Sequence, residues 1–190
     1  MSNKFDPSTM SPEDLVERKL LGSHIHFLTG DIEEDNIRKA VQWIVYENLG
    51  SENKTLTLYI NSQGGDLYGA FALIDVMRAS KHPIRTIGLG SVMSAAFLIF
   101  VSGTAGNRII APNTGIMCHQ YSDSTEGKHH DLKATMVEGE HCNARMLSVL
   151  EGACELDART IKRKLLNPTD VYLTADEMLE YGLADELLIE

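Results

Sequence analysis

Ser94 stands where a nucleophile could be placed. The stretch Ile84 to Leu89 reads as a strand, Gly88 and Gly90 bend the chain, and Ser91, Val92 and Met93 follow. A helix pattern then opens at Ser94 in the uncharged run Ser-Ala-Ala-Phe-Leu-Ile-Phe-Val-Ser. At a strand-to-helix turn the first backbone N–H groups are unpaired and the helix dipole is positive. Negative charge developing on a substrate oxygen is stabilised there, which suits a hydroxyl whose attack makes an oxyanion. The same place also suits a plain helix cap, for which serine is favoured. The segment alone leaves both readings open.

A hydroxyl nucleophile needs a base within hydrogen-bond reach, usually His, and an acid to orient that His. The candidates are His24, His26, His82, His119, His129, His130 and His141. His119 ends the apolar strand Ile116-Met117-Cys118-His119 just past the Pro112-Asn113 turn, so it can face the same cleft as Ser94. His24 and His26 alternate on one strand and read as structural or interface residues. His129, His130 and His141 fall on one helix, but the i, i+4 pair of a helical zinc site is missing. A solvated or subunit-facing helix accounts for them.

The elements that must position these residues follow from periodicity. Pro12 to about Leu21 reads as a short helix and His24 to Thr29 as a strand. Asp31 to about Asn48 has helical spacing at Ile32, Ile37, Val41, Ile44 and Val45. Thr55 to Asn61 is a strand and Leu67 to about Ser80 a helix. Ser94 to Ser102 is a buried helix, with short strands at Arg108 to Ala111 and Gly115 to His119. Residues 121–127 are polar and unpatterned. Helices follow at Asp131 to about Gly152 and Asp157 to Leu166, then a strand at Val171 to Leu173. Thr174 caps a last helix, with Glu177 at capping-box spacing, and Ala184 to Ile189 closes the chain. Strands alternate with helices over the first two thirds, which implies βαβ units and a largely parallel sheet. Sites in such sheets lie past the strand carboxyl ends. Two of those ends are glycine-rich here, at Gly64-Gly65 and at Gly88 to Ser91.

Composition narrows the function classes. A chain of 190 residues with 43% apolar and 23% charged residues fits one globular domain with a sizeable core. Seventeen Lys and Arg against 27 Asp and Glu give a net charge of −10. That disfavours nucleic acid, whose phosphates need a basic surplus, and an anionic membrane surface. The apolar run after Thr86 is shorter than the roughly 20 residues that span a bilayer, and the first residues hold no secretory apolar core. Cys118, Cys142 and Cys154 are an odd, unpaired set, which suits reduced thiols in a cytoplasmic-type compartment.

Three motifs carry a resemblance. Leu58-Tyr59-Ile60-Asn61-Ser62-Gln63-Gly64-Gly65 looks like Ile-Asn-Ser-Pro-Gly-Gly. Gly90-Ser91-Val92-Met93-Ser94-Ala95-Ala96 looks like Gly-Gln-Ala-Ala-Ser-Met-Gly. Pro112 to Gln120 looks like Pro-Asn-Ser-Arg-Val-Met-Ile-His-Gln. In order and register these resemble ClpP, the proteolytic subunit of the ATP-dependent Clp proteases. The likeness runs from about Leu20 to the chain end. It implies a ClpP/crotonase-like α/β fold of repeated βαβ units over a single domain, 1–190. Residues 1–20 would be a flexible or axial N-terminal segment, and residues 120–155 a protruding handle made of a strand and the long helix.

The resemblance implies Ser94 as nucleophile, His119 as general base and Asp170 as orienting acid, with Asp176 the fallback. Backbone N–H groups of Gly65 and Ala95 would form the oxyanion site. Ser91, at the family's glutamine position, is the rival nucleophile. No cofactor or metal is implied. Implied partners are unfolded polypeptide, further copies of the chain in two stacked heptameric rings (a tetradecamer), and an AAA+ unfoldase. That unfoldase would dock on a pocket from which two aromatics are gone, at Thr57 and Ala79, while Tyr59 remains. The departures around Ser94 and a lengthening near Leu165 to Thr169 also leave room for a non-catalytic subunit of a mixed ring. An acyl-CoA enzyme of crotonase type is the third reading.

Overall fold

The computed structural model describes residues 11–51 and 53–188. Expectations for residues 1–10 and for the last two positions lie outside the described residues. Among the described residues the strands are β1 (Ile25–Thr29), β2 (Leu56–Ser62), β3 (Ile84–Met93), β4 (Arg108–Ile110), β5 (Gly115–Cys118), β6 (Val171–Leu173) and β7 (Glu186–Leu187). The helices among the described residues are α1 (Pro12–Gly22), α2 (Glu34–Glu47), α3 (Leu67–Ala79), α4 (Ala95–Val101), α5 (His129–Ala153), α6 (Ala158–Lys164) and α7 (Ala175–Glu180). The chain has the expected α/β architecture, with strands and helices alternating over its first two thirds around a largely parallel sheet.

One sheet runs β1-β2-β3-β4-β7, all neighbours parallel. The central strand β3 forks. Its first half pairs with β4 through Thr86 to Gly88, and its second half pairs with β5 through Ser91 to Met93. Strand β6 closes the fork antiparallel to β5. This corrects the expectation that the strand ends at Leu89. The ladder with β2 shifts between Ile60 and Ser62, and Asn61 Oδ1 accepts the Ser91 N–H at 3.0 Å. That bond bridges the irregularity, so the strand resumes and carries Ser94 two turns of pleat farther than local pattern suggests.

The core sits between the sheet and the helices. Leu56, Leu58 and Ile60 of β2 are fully buried, as are Leu73 and Ile74 of α3. Every residue of α4 is buried, which explains why that helix is apolar on all sides. Each large side chain removed from water there contributes about 1.5–3 kcal/mol, so α4 is a rigid base for the turn that precedes it. The capping box at Thr174 and Glu177 forms as the spacing requires.

Two readings are corrected at the edges. His24 is not in β1; it sits at φ 59, with Nδ1 3.0 Å from Glu47 Oε2. His26 does lie in β1, stacked on Trp43 at 5.2 Å. The strand implied before the long helix is not formed, because residues 120–128 find no ladder partner among the described residues. The long helix itself is half free. Its buried residues, Cys142, Met146, Val149 and Leu150, all lie in the C-terminal half, while Met136 and Val137 are exposed.

Candidate active site

Ser94 ends β3 and heads α4 at φ 52 and ψ −122, a region non-glycine residues seldom occupy. Holding it costs on the order of 1–3 kcal/mol, and such strain persists where the surroundings over-determine it. They do so here. The Ser94 N–H donates to the Met117 carbonyl at 2.8 Å, and α4 behind it is fully packed. In front, Gly64 backs directly onto the turn. A Cβ at Gly64 would lie 2.7 Å from Ser94 Cβ and 2.9 Å from the Met93 carbonyl oxygen.

The serine does not cap its helix. Ser94 makes no side-chain cap hydrogen bond; its Oγ lies 2.7 Å from His119 Nε2. His119, just past the end of β5, turns its other nitrogen, Nδ1, to the Gln120 carbonyl. A carbonyl can only accept, so Nδ1 carries the proton and Nε2 is left to accept from the Ser94 hydroxyl. That is the tautomer a general base requires.

Asp170 is placed nearby but not engaged. The antiparallel ladder pairs Ile116 with Leu173, Met117 with Tyr172 and Cys118 with Val171. One further step puts Asp170 opposite His119. Yet Asp170 is exposed, and among the described residues it makes no hydrogen bond or ion pair. The longer approach to it is pinned elsewhere: the Gln120 N–H donates to the Asn167 carbonyl at 3.3 Å, and Gln120 Nε2 donates to the Leu166 carbonyl at 2.9 Å. The fallback, Asp176, sits exposed in the first turn of α7, away from this ladder. Ser91 is held within β3, paired with Gly115.

Gly65 and Ala95 line the same cleft as Ser94 and His119. Ile32 bridges Gly65 through the Gly64 carbonyl and the Asp66 N–H, at 2.7 and 2.8 Å, so the Gly65 N–H is not spent on the bridge. A Cβ at Gly65 would strike the Ile32 carbonyl at 2.5 Å. The Ala95 N–H is the first of α4 and has no intrahelical acceptor. A cleft of about 420 Å³ joins these groups: Ser94, Ala95 and His119 on one side, Gly65 to Tyr68 on another, with Tyr121 and Ser122 closing it. Tyr68 and Tyr121 carried no signal in the sequence, because the segments that bring them here are far apart. A larger groove, about 780 Å³, runs between α1, β1 and α2 past Val16 and Trp43. It holds no nucleophile–base pair, so size alone would misplace the site.

Among the described residues no three His, Cys, Asp or Glu side chains gather in a group that could hold a metal ion. Cys118, behind the site, is buried, and burial pushes its thiol up to about 12. It stays protonated and is no competing nucleophile. No helix among the described residues is long and apolar enough to cross a membrane.

The family model for Clp protease matches residues 10–190. Among known proteins, the chain is 28% identical over 170 residues to the ATP-dependent Clp protease proteolytic subunit 1 of Rhodopirellula baltica, covering 90% of this chain and 74% of that protein.

Proposed function

Because the chain belongs to the Clp protease family, we propose that it is a serine endopeptidase that cleaves unfolded polypeptide through an acyl-enzyme. The observation that carries this reading is the Ser94 hydroxyl, 2.7 Å from His119 Nε2 and unused as a cap. Ser94 Oγ attacks the peptide carbonyl carbon as Nε2 takes its proton. The carbonyl oxygen becomes an oxyanion received by the N–H groups of Gly65 and Ala95, a stabilisation worth about 3–4 kcal/mol per donor in such sites. The tetrahedral intermediate then collapses, the C–N bond breaks, and imidazolium returns the proton to the leaving amine. Water, deprotonated by the same histidine, adds to the ester carbon; the bond to Ser94 Oγ then breaks, the carboxylic acid leaves, and imidazolium returns the proton to Oγ. Asp170, opposite His119 in register, would replace the neutral Gln120 carbonyl as partner of Nδ1 and stabilise the imidazolium.

An unselective nucleophile must be kept from folded proteins. Assembly into two stacked heptameric rings, with α5 as the handle and the cleft inside, supplies that enclosure, and an AAA+ unfoldase would feed it. A fluorophosphonate tests the chemistry. Wild type should be labelled at Ser94; labelling that survives Ser94→Ala would end the assignment.

One observation favours a second reading, a structural subunit of a mixed ring: the exposed, unbonded Asp170. Hydrolysis of short fluorogenic peptides by the purified chain, lost in His119→Ala, would exclude it. An acyl-CoA enzyme of crotonase type would leave the Ser94–His119 pair without a task.

A further inference from the structure

Tyr68 enters the cleft from the first turn of α3, three residues after Gly65, and its position is fixed at both ends. Asp66 Oδ1 accepts the Tyr68 N–H at 3.0 Å, and Asp66 Oδ2 accepts the Gly69 N–H at 2.9 Å. This ties the Tyr68 backbone to the glycine turn. At the far end of the ring, the hydroxyl donates to Glu138 Oε1 of α5 at 2.7 Å, across seventy positions of sequence. Glu138 is itself held. The Arg145 guanidinium pairs with the same oxygen, and Arg145 lies 5.5 Å from the Tyr68 ring centroid and 5.3 Å from that of Phe71. The hydrogen bonds from Tyr68 and Cys142, then the charge of Arg145, outweigh desolvation and draw the Glu138 carboxyl down to about 2, so it accepts as a full anion. A tyrosine 49% exposed on a helix would ordinarily sample several rotamers; this one is clamped with its ring in the wall of the site.

We propose that Tyr68 is a specificity-determining residue of the peptidase, and that Glu138 is the positioning residue that keeps its ring in the cleft. The proposal rests on Ser94 acting as nucleophile. With the acyl oxygen at the Gly65 and Ala95 N–H groups, the side chain on the acyl carbon's own residue falls beside the wall that starts at Gly65. Tyr68 is part of that wall, and the cleft holds about 420 Å³ for the whole substrate segment. The clamped ring therefore admits small side chains on the acyl side of the scissile bond and rejects large aromatic ones. Because the clamp comes from α5, the same helix that would serve as handle, cleft width is set by where α5 lies.

Matched fluorogenic peptides with Ala or Phe at that position test this, read as the ratio of kcat/KM for Phe over Ala. Tyr68→Ala should raise the ratio at least about tenfold, the scale on which a pocket wall discriminates by size. Glu138→Ala should raise it less, about threefold, by freeing the ring. Glu138→Gln, which keeps an acceptor for the hydroxyl, should leave it near the wild-type value. Ser94 labelling by a small fluorophosphonate with no side chain to accommodate should stay within about threefold in all three variants. An unchanged ratio in a Tyr68→Ala protein that still labels overturns the proposal. So does a parallel fall in labelling and in both peptide rates, which would mark a structural role. A wild-type protein that does not label at Ser94 removes the peptidase reading, and this proposal with it.

Discussion

At the scale of residues, the turn at Ser94 is built by exclusion. The φ of 52 is held between the Met117 carbonyl on one side and a glycine with no side chain on the other. Gly64, at φ 104, would place any Cβ within 2.7 Å of Ser94 Cβ. Gly64→Ala should therefore push the nucleophile off His119 and lower kcat about 100-fold, since misplacement by about 1 Å costs on that order. Peptide kinetics alongside circular dichroism would check it; a folded Gly64→Ala protein at wild-type rate would refute it. The histidine poses a different question. In the single chain, the Gln120 carbonyl sets the His119 tautomer, but a neutral acceptor does little for the imidazolium formed during attack. If Asp170 takes that place in the active protein, Asp170→Asn should cost at least about 100-fold in kcat, and Asp176→Asn less than about threefold. The reverse order would move the acid to α7.

Elements explain what could and could not be seen beforehand. The βαβ alternation, the buried α4 and the capping box at Thr174 depend on local patterns, and each reads directly from the sequence. Ser94 and His119 are candidates by position, at the ends of segments that become the neighbouring strands β3 and β5, but local pattern leaves Ser94 open between cap and nucleophile, and only the resemblance pairs the two. The length of β3 does not read from the sequence. Ser91 to Met93 become strand because two distant segments reach them: Gly115 to Met117 pair along their length, and β2 rejoins through Asn61 and Ser62. The Gln120 carbonyl and the Tyr68–Glu138 clamp are likewise invisible, one being backbone and the other a contact between distant helices. The strand edge at β4 and β7 shows the same dependence and yields a pH prediction. Arg108 is buried and grips the Asp185 carboxylate with Nη2 at 2.6 Å and Nε at 2.9 Å. Burial alone would raise the Asp185 pKa, but the Arg108 hydrogen bonds outweigh it and the net shift is downward from 3.8. A lowered carboxylate pKa contributes stability that is complete above the unfolded value and is lost as pH falls through the folded one. Asp185→Asn should thus destabilise at neutral pH by about 1–2 kcal/mol, less than for a fully buried pair because Arg108 is buried but Asp185 reaches solvent. It should also flatten the wild-type loss of stability below about pH 4. Urea unfolding at pH 7 and pH 3 would measure both; equal destabilisation at the two values would contradict the ion-pair account.

For the whole molecule, the issue is what covers the surfaces the single chain leaves open. The exposed half of α5 and the unpaired segment before it suit contact with another copy. Size-exclusion chromatography with light scattering should then find a particle of fourteen 21.0 kDa chains rather than a monomer. The outer face of β1, β2 and β3 suits a different partner. There Phe27 and Tyr59 stack with ring centroids 4.8 Å apart, the row in register with Ile87. The adjacent row, Ile25, Thr57 and Arg85, has a threonine at its centre where the family resemblance places an aromatic anchor. A second anchor position is Ala79, exposed at the end of α3. Buried aromatic anchors contribute about 2 kcal/mol each at interfaces, equivalent to about thirtyfold in affinity apiece. The face as it stands keeps a stacked aromatic pair and lacks its flanks, so a Clp-type AAA+ ATPase should bind it weakly. Thr57→Tyr with Ala79→Phe should restore binding by at least about thirtyfold, allowing for non-additivity. The readout is the ATPase concentration that half-saturates degradation of an unfolded protein, with small-peptide hydrolysis as the control for the site itself. Peptide hydrolysis should not move, because neither position touches the cleft. A half-saturating concentration that stays put in the double variant would show that this face is not where the ATPase docks.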